Sequence, residues 1–418
     1  MISFFNYLLI LNVFMGAFSY LYASFDFCIG YIFIIVFLCA YILRYRNISV
    51  NPTFLALLLI LAVSSFVNVC FGNDTFFYMS KQIIGISVTG IAYYLLFKIN
   101  NFEFDKLFKI YLRVALVVAV IGIFQEFNWL IGFERGYDYS SLIPKWTFAR
   151  TASGVLRVNS IFMEPSHFAI TMSPAFFVAL SNIFKSNSLR LKSKLSSAII
   201  MISYVLTFSA IACVGIFISL WLILFTFKKF KHMLLVLGLM MVFIYASYWY
   251  VPGIQKRADS VVQLIDGSKK ATDVHLSVHT VVSHAFVACK TFAMSPMFGH
   301  GLGSHPISYD RFIRSGISCG LWKEGITETN KADASSLLVR LVSETGLVGV
   351  IAVLFFIWKF RVKKSGNREL YIVNNAVFVL FILQLLKQGH YFYNGLFFFV
   401  WLYYVSGKVY REGELKDC

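Results

Sequence analysis

The sequence predicts an all-α, polytopic membrane protein with about twelve transmembrane helices. Of its 418 residues, 59% are hydrophobic and only 14% are charged, whereas soluble globular domains carry about 25% charged residues. The hydrophobic residues lie in runs of roughly 17–25 residues, the length that an α-helix needs to cross a bilayer. Basic residues cluster at every second connection between these runs. This composition and patterning exclude a soluble globular fold.

The apolar runs define the transmembrane helices in order along the chain. The block from Leu195 to Phe227 is too long for one span, so we divide it near Ser209 and Ala210 into two short spans. The first run lacks a basic n-region and a small-residue cleavage site, and we expect it to remain as a membrane anchor. Outside the divided block, the predicted spans cover residues 3–22, 27–43, 52–71, 82–97, 110–131, 162–183, 233–250, 335–358, 371–386 and 391–407.

Two connections on one side of the predicted bilayer are much longer than the rest. The first covers residues 132–161, within a region of residues 1–250 that holds spans 1–9. The second covers residues 251–334, between spans 9 and 10, and contains a predicted amphipathic helix over residues 278–294 that lies on the membrane surface. Residues 335–418 hold spans 10–12 and a short tail. Because long loops in compact proteins are usually functional, we expect the chemistry on this side.

Basic residues set the predicted orientation. Short loops rich in Lys and Arg face the cytoplasm, and about twelve spans then place both termini there as well. The net charge of +17 mostly reflects this topology, and no basic domain interleaved with aromatic residues lies outside the membrane. We therefore expect no nucleic-acid partner. The basic clusters contain Arg44, Arg46, Lys98, Lys106, Lys109, Lys185, Arg190, Lys192, Lys194, Lys228, Lys229, Lys231, Lys359, Arg361, Lys363, Lys364 and Arg368.

The segment over residues 150–167 carries ionisable groups into the mouth of a hydrophobic run. Arg150, Arg157 and Glu164 lie in it. A charged group inside the bilayer costs about 2.5–3.5 kcal/mol on insertion scales, so such groups usually face a cavity or a ligand. Glu164 and His167 share one face if Pro165 opens a helix. The segment predicts a site for an anionic ligand at the membrane surface.

A second polar group opens the run that begins near residue 335. Asp333, Ser336, Arg340 and Glu344 recur at three- or four-residue spacing, which makes one stripe along a helix. The stripe is expected to line a cavity. The alternative is an Arg340–Glu344 ion pair that only lowers the cost of insertion. Lys387, in the tight outer turn between the last two spans, is expected at the same depth.

A glycine-rich turn closes the large loop over residues 299–304. It lacks the Gly-Lys-Ser/Thr ending of a nucleotide P-loop. Its backbone N–H groups could bind phosphate. The alternative is a flexible turn between two helices.

Three segments in order resemble the bacterial O-antigen polymerase and O-antigen ligase superfamily. They lie at residues 157–166, 295–303 and 335–349, all on the outer side. The ligase branch places a catalytic histidine where this chain has Ser335, and a second family arginine is replaced by Ala210. These departures favour the polymerase over the ligase. The segments read Arg157 … Ile-Phe-Met-Glu164-Pro165-Ser166, Ser295-Pro296-Met-Phe-Gly299-His-Gly301-Leu-Gly303 and Ser335-Ser336 … Glu344-Thr-Gly346-Leu-Val-Gly349.

The resemblance implies a metal-independent glycosyltransferase of the GT-C-like fold in the bacterial inner membrane, without a cofactor. Its catalytic cavity would face the periplasm, so the two long connections become periplasmic loops. Donor and acceptor would both be oligosaccharides on undecaprenyl diphosphate, and a chain-length regulator is a further candidate partner. The ligase or another lipid-linked glycosyl transferase remains an alternative. A lipid-linked oligosaccharide flippase is less favoured because the sequence shows no internal repeat.

The polymerase interpretation gives the charged residues distinct roles. Guanidinium groups match diphosphate oxygens in bidentate geometry, so Arg157 and Arg340 are expected to stabilise the leaving group. Glu164 or Asp333 would take the proton of the acceptor hydroxyl, and His167 would orient Glu164. Other candidate ligands of the diphosphate or the sugars are Arg150, His279, His300, Arg311, Arg314, Ser335, Ser336, Glu344 and Lys387.

The topology can be tested by cysteine accessibility. We expect Lys192, Lys229 and Lys363 on the cytoplasmic side, and Arg150, His305 and Gly325 outside. Single cysteines at these positions, in a background without the native cysteines, would be treated with a membrane-impermeant thiol reagent before and after lysis. Labelling of position 150 only after lysis, or of position 363 in intact cells, would reverse the arrangement.

Overall fold

The computed structural model describes most of the chain. The described residues are 2–22, 25–151, 154–184, 193–226, 252–266, 268–270, 273–274, 276–322, 330–363, 367–392 and 395–414, with isolated positions between 234 and 249. The predicted span at residues 233–250 therefore lies largely outside them.

Helices make up nearly all of the regular structure. Within the described ranges, the only paired strands are β1 (Ser19–Tyr22) and β2 (Phe25–Cys28), which form an antiparallel hairpin with Ser19 opposite Cys28. The helices are α1 (Ile2–Asn12), α2 (Gly30–Tyr45), α3 (Pro52–Cys70), α4 (Phe76–Ile99), α5 (Phe104–Leu130), α6 (Glu134–Tyr137), α7 (Pro165–Phe184), α8 (Lys194–Val205), α9 (Ala210–Thr226), α10 (Pro252–Ile265), α11 (Leu276–Met294), α12 (His305–Phe312), α13 (Leu337–Lys359), α14 (Arg368–Leu386) and α15 (Leu396–Glu414).

The chain is a helical membrane protein. Five helices in the described part are long and apolar enough to cross a membrane, namely α3, α4, α5, α13 and α14. The helices α1, α2, α8 and α9 are apolar but shorter. These helices indicate a lipid bilayer environment. The number of about twelve spans and the GT-C-like fold remain predictions.

The predicted first span, residues 3–22, is wrong. Helix α1 ends at Asn12, and the chain then turns into the β-hairpin. Asn12 is buried and its side-chain amide donates to the Tyr93 hydroxyl at 3.2 Å. Gly30 lies so close that a Cβ there would stand 1.6 Å from Asn12 Oδ1. Hydropathy alone predicted a helix that continues past Asn12, but Asn12 makes a polar tertiary contact and the helix ends there.

Side-chain caps fix the starts of several helices. Asn51 accepts from the N–H groups of Thr53 and Phe54, with Pro52 in the first helical position. Ser336 caps α13 in the same way through Val339 N–H. Each cap satisfies a backbone donor that the helix itself cannot pair. These caps set the depth at which the neighbouring polar residues lie.

Helix α7 forms the centre of the bundle. It packs against α8, α9 and α14, and small buried residues such as Ala169, Ser173 and Ala175 allow this close approach. Because Pro165 is its first residue, α7 starts directly after Glu164. The segment over residues 150–167 thus enters the bundle where Glu164 and His167 open the central helix.

The predicted break near Ser209 and Ala210 is confirmed. Helix α8 ends at Val205 and α9 begins at Ala210. The backbone N–H of Val158 donates to Leu206 O at 3.0 Å, so the segment at residues 150–167 pairs with the break.

The helix predicted over residues 278–294 is confirmed as α11, and its buried side carries polar as well as apolar residues; its position on the membrane surface remains a prediction. His279, Ser283 and His284 are at most 5% exposed, whereas Val281 is 58% exposed. The helix packs against α12 and α13. Val287 and Ala288 of the same helix are also buried, so both polar and apolar residues of α11 face the protein.

Helix α13 is broken at Gly346, where φ is 60° and ψ is −155°. The turn at the end of the large loop fills the break: His300 and Gly301 donate to the carbonyls of residues 343 and 344 at 3.0 and 2.9 Å. In return, Leu347 N–H donates to Pro296 O at 2.8 Å. We call residues 295–304 and 343–348 the loop–helix seam. It joins the second and third family-like segments into one unit.

Gly346 should tolerate no side chain. An alanine Cβ would stand 2.7 Å from Pro296 O and from Gly299 N, and its backbone conformation is almost restricted to glycine. We expect Gly346→Ala to lower the free energy of unfolding by more than about 2 kcal/mol.

The matched control is Gly413→Ala near the end of α15, where a Cβ would meet no described atom within 4 Å. Thermal unfolding of both variants in detergent, followed by tryptophan fluorescence, measures the difference. Equal melting temperatures would show that the seam contributes little to stability.

Candidate functional site

The first residues of α7 begin the site. Ser166 Oγ donates to Glu164 Oε2 at 2.9 Å, and the His167 backbone N–H donates to Glu164 O at 3.1 Å. Glu164 is half-buried and His167 is 7% exposed. Pro165 has no backbone N–H, so its place at the helix start leaves no donor unpaired. The helix start thereby fixes the positions of Glu164 and His167.

His167 lies within electrostatic range of groups from three segments. They are Glu164, Lys387 after α14, and Asp333 before α13. Asp333 and Lys387 are only half-buried. The structure thus brings together four residues that the sequence predicted for the site, although they come from distant parts of the chain. We call Glu164, His167, Asp333 and Lys387 the mouth cluster.

Asp333 is held as a carboxylate. Its Oδ1 accepts from Ser335 N–H at 3.0 Å, and Oδ2 lies 3.5 Å from His390 Nε2. Burial opposes its ionisation, but His390, the Ser335 N–H and the Arg340 charge together hold the Asp333 pKa below its usual range. A carboxylate with a lowered pKa is a weak proton acceptor, so Glu164 is the better candidate base.

Arg340 and Glu344 form an ion pair, which was the alternative prediction to a polar stripe that lines a cavity. Arg340 Nε lies 2.8 Å from Glu344 Oε1, and both side chains are at most 1% exposed. Arg340 Nη1 donates to Gly389 O at 3.0 Å, and its guanidinium lies 4.5 Å from the Tyr391 ring centroid. Arg340 Nη2 has no hydrogen-bond partner among the described residues. The contacts of Nε and Nη1 also make Arg340 a positioning residue for Gly389.

The turn at residues 387–391, after α14, packs tightly on the segment before α13. Gln388 N–H donates to Ser335 O at 3.0 Å, and Ser336 Oγ donates to Leu385 O at 2.8 Å. A Cβ at Gly389 would stand 1.5 Å from Asp333 O. Ser335 and Ser336 therefore join two backbone segments, and this junction fixes Asp333 relative to Lys387.

The two arginines of the segment at residues 150–167 occupy different surroundings. Arg157 is half-buried and its Nε donates to Thr207 O at 3.4 Å, in the break between α8 and α9. Arg150 is exposed, and its guanidinium lies 4.6 Å from the Phe148 ring centroid and 5.0 Å from that of Trp129. Arg157 is thus the arginine of this segment that enters the bundle.

The glycine-rich turn is neither a phosphate site nor a flexible connection. Its His300 and Gly301 N–H groups donate to α13, and Leu302 N–H donates to Ser65 Oγ at 3.0 Å. The donors that phosphate would need are therefore used within the protein. A Cβ at Gly303 would stand 2.7 Å from Tyr78 O, so the turn is also tightly packed.

The candidate ligands in the large loop make contacts within the loop or with the turn between α3 and α4. His279 Nε2 lies 3.1 Å from Leu321 O, and the Arg314 guanidinium lies 5.5 Å from the Trp322 ring centroid. His300 Nδ1 lies 3.1 Å from Ser308 Oγ, and burial together with Arg311 lowers the His300 pKa to about 4. Arg311 donates to Gly72 O and Asn73 Oδ1 at 3.0 and 3.1 Å. These four residues hold the loop in place.

The sequence did not predict a chain of three buried side chains, His284, His305 and Ser343, that lies beside the site. His284 Nδ1 lies 3.0 Å from His305 Nε2, and His305 Nδ1 lies 2.8 Å from Ser343 Oγ. The His305 N–H also donates to Glu344 Oε1 at 3.4 Å. The sequence carries no clear signal for this chain of side chains, because His284 shares its helix face with Val287 and Ala288. Because His305 is 0% exposed, position 305 is a poor choice for the accessibility test.

The described residues contain no group of three or more His, Cys, Asp or Glu residues arranged to hold a metal ion. In comparisons with known proteins, no family model and no curated protein matches the chain.

Proposed function

We propose that this protein is a polysaccharide polymerase of the O-antigen type. It would join repeat units carried on undecaprenyl diphosphate at the periplasmic face of the bacterial inner membrane. The observation that carries the proposal is the mouth cluster. Residues from three distant segments, each at the end of an apolar helix, supply two carboxylates, an imidazole and an ammonium group to one partly exposed region.

The proposed reaction transfers the growing glycan from one lipid carrier to the next repeat unit. Glu164 takes the proton of the acceptor hydroxyl as its oxygen forms a bond to the anomeric carbon of the donor. The bond from that carbon to the diphosphate oxygen breaks, and its electron pair leaves with undecaprenyl diphosphate. The Ser166 hydroxyl holds the Glu164 carboxylate, and His167 lies beside it.

The leaving group develops negative charge that a cation must stabilise. Lys387 is the cation of the mouth cluster, and its half-buried position leaves it open to a ligand. Arg157 is the second candidate, since its side chain reaches the break between α8 and α9. Arg340 acts indirectly, because it holds Gly389 and thereby the turn that carries Lys387.

The reaction class can be tested on cells and with purified protein. Deletion of the gene should leave a single repeat unit attached to the lipopolysaccharide core and abolish longer chains, as seen on a glycan gel. The purified protein should convert a lipid-linked repeat unit into a ladder of products and release undecaprenyl diphosphate.

Loss of every attached unit would instead indicate a ligase. Accumulation of lipid-linked repeat units on the cytoplasmic side would indicate a flippase. Either result would overturn the polymerase proposal.

The choice of base gives a second prediction. Glu164→Gln preserves the shape of the side chain but removes its basicity, so turnover should fall by roughly two to four orders of magnitude. Asp333→Asn should have a smaller effect, because the bonds of Asp333 to Ser335 and His390 already hold it as a weak proton acceptor.

Glu134→Gln is the matched control, since Glu134 is exposed on the same outer side, and it should leave the rate unchanged. Initial rates of polymerisation in vitro, at equal amounts of folded protein, measure all three variants. A larger loss for Asp333→Asn than for Glu164→Gln would reverse the assignment of the base.

A further inference from the structure

Three aromatic rings and an arginine form a surface patch around the start of the segment at residues 150–167. The rings of Trp129, Tyr137 and Phe148 contact one another, with centroids between 5.0 and 5.9 Å apart in all three pairs. All three side chains are partly exposed, and Arg150 is exposed. The Arg150 guanidinium lies 4.6 Å from the Phe148 ring centroid and 5.0 Å from that of Trp129. We call these four residues the aromatic patch.

Trp129 lies on the face of α5 that turns toward the protein. Buried residues recur on this face every three or four positions, and Trp129 continues the series at the end of the helix. The opposite face of α5 is exposed. Side chains that anchor a protein in the bilayer interface lie on such an exposed face, so Trp129 is directed toward the protein and not toward lipid. The buried series is Ala115, Val118, Gly122 and Gln125, and the exposed series is Val117, Val120, Phe124, Phe127 and Ile131.

Hydrogen bonds join the patch to the segment of the candidate base. Thr147, the neighbour of Phe148, donates to Met163 O through its backbone N–H at 3.1 Å and through its hydroxyl at 2.6 Å. Met163 directly precedes Glu164. The stretch that carries Phe148 is therefore fixed against the stretch that carries Glu164.

Buried amide groups support the patch from below. Gln125 Nε2 donates to Tyr137 O and to Asn159 Oδ1, both at 3.1 Å, and Asn159 Nδ2 donates to Thr147 O at 3.1 Å. Gln125 and Asn159 are both 0% exposed. These bonds hold the backbone on either side of the rings, so a ligand would meet a preformed surface that needs little ordering.

The patch has the groups that bind a sugar ring. The face of an aromatic ring is negative, whereas the C–H groups on one face of a pyranose carry partial positive charge, so the two surfaces attract each other. Large rigid side chains make this contact at a low cost in conformational entropy. Two rings hold the Arg150 guanidinium, and no described residue accepts a hydrogen bond from it. Its N–H groups can donate to sugar hydroxyls.

We propose that the aromatic patch binds sugar rings of the growing glycan beside the reaction centre and keeps the chain bound between additions. This inference rests on the proposed polymerase function, because that reaction supplies the occupant. The glycan must come close to Glu164 in that reaction, and the patch is bonded to the segment that ends at Glu164. The patch residues are positioning residues, since they take no part in bond formation. Their loss should shorten the products more than it slows the first addition.

The first test measures binding by isothermal titration calorimetry, with the full-length protein in lipid nanodiscs. The probe is the delipidated polysaccharide that mild acid releases from the lipopolysaccharide of the source bacterium. Phe148→Leu keeps an apolar side chain but removes the ring, so binding should weaken roughly two- to tenfold. Trp129→Phe keeps a ring and should bind nearly as well as the wild type, but most of the change in tryptophan fluorescence on binding should disappear.

Phe127→Leu is the matched control, because Phe127 is 57% exposed on the opposite face of α5. It should bind the polysaccharide as the wild type does. The second test is polymerisation of a lipid-linked repeat unit in vitro. Phe148→Leu should give shorter products than the wild type and the Phe127→Leu control, at an unchanged rate of the first addition.

The two tests separate this inference from the proposed function. A wild-type protein that binds the polysaccharide through Phe148 but does not extend the repeat unit would overturn the polymerase and support the patch. A wild-type protein that polymerises, with equal affinity and product length for Phe148→Leu, would overturn the patch and leave the polymerase intact. A lower melting temperature of Phe148→Leu with unchanged affinity would also overturn the patch, because the rings would then only stabilise the fold or its contact with lipid.

Discussion

The buried ion pair between Arg340 and Glu344 is the interaction on which the packing of the large loop against the helix bundle depends. Both side chains are almost fully buried, and their atoms lie 2.8 Å apart. Such a pair adds little net stability over apolar residues, but removing one partner leaves an isolated buried charge, which costs about 3–5 kcal/mol. Each partner also binds a backbone group elsewhere: Arg340 binds Gly389 O, and Glu344 binds His305 N–H. The pair therefore ties the turn at residues 387–391 and the large loop to one helix.

The break in α13 shows how a membrane protein can interrupt a helix without losing hydrogen bonds. Backbone groups at membrane depth need partners inside the protein. The seam supplies them, because the loop donates two N–H groups to α13 and accepts N–H groups from it in return. The glycines at positions 299, 301 and 346 have positive φ values, which permits this close approach. A segment that looked like a ligand-binding turn is thus a structural junction.

The arrangement separates supporting groups from groups that are free to react. The ion pair, the histidine chain and the seam are buried and engaged with one another. Glu164, Asp333 and Lys387 lie at the partly exposed mouth. Rigid surroundings hold reactive groups in place at little entropic cost. In the proposed polymerase the buried layer would fix the distance between the base and the cation that stabilises the leaving group.

The sequence by itself determined the membrane class, most helix positions and the identity of the mouth residues. Hydropathy measures the transfer free energy of a whole segment, so the sequence located α3 and the break between α8 and α9 closely. Polar residues within or beside apolar runs indicated Glu164, Asp333 and Lys387. Only the tertiary structure decided which partner satisfies each polar group. Asn12 hydrogen-bonds to Tyr93 where α1 ends, His284 of α11 contacts His305, and N–H groups of the glycine-rich turn pair with α13. These contacts join residues far apart in the chain, and no local pattern encodes them because each depends on the position of another helix.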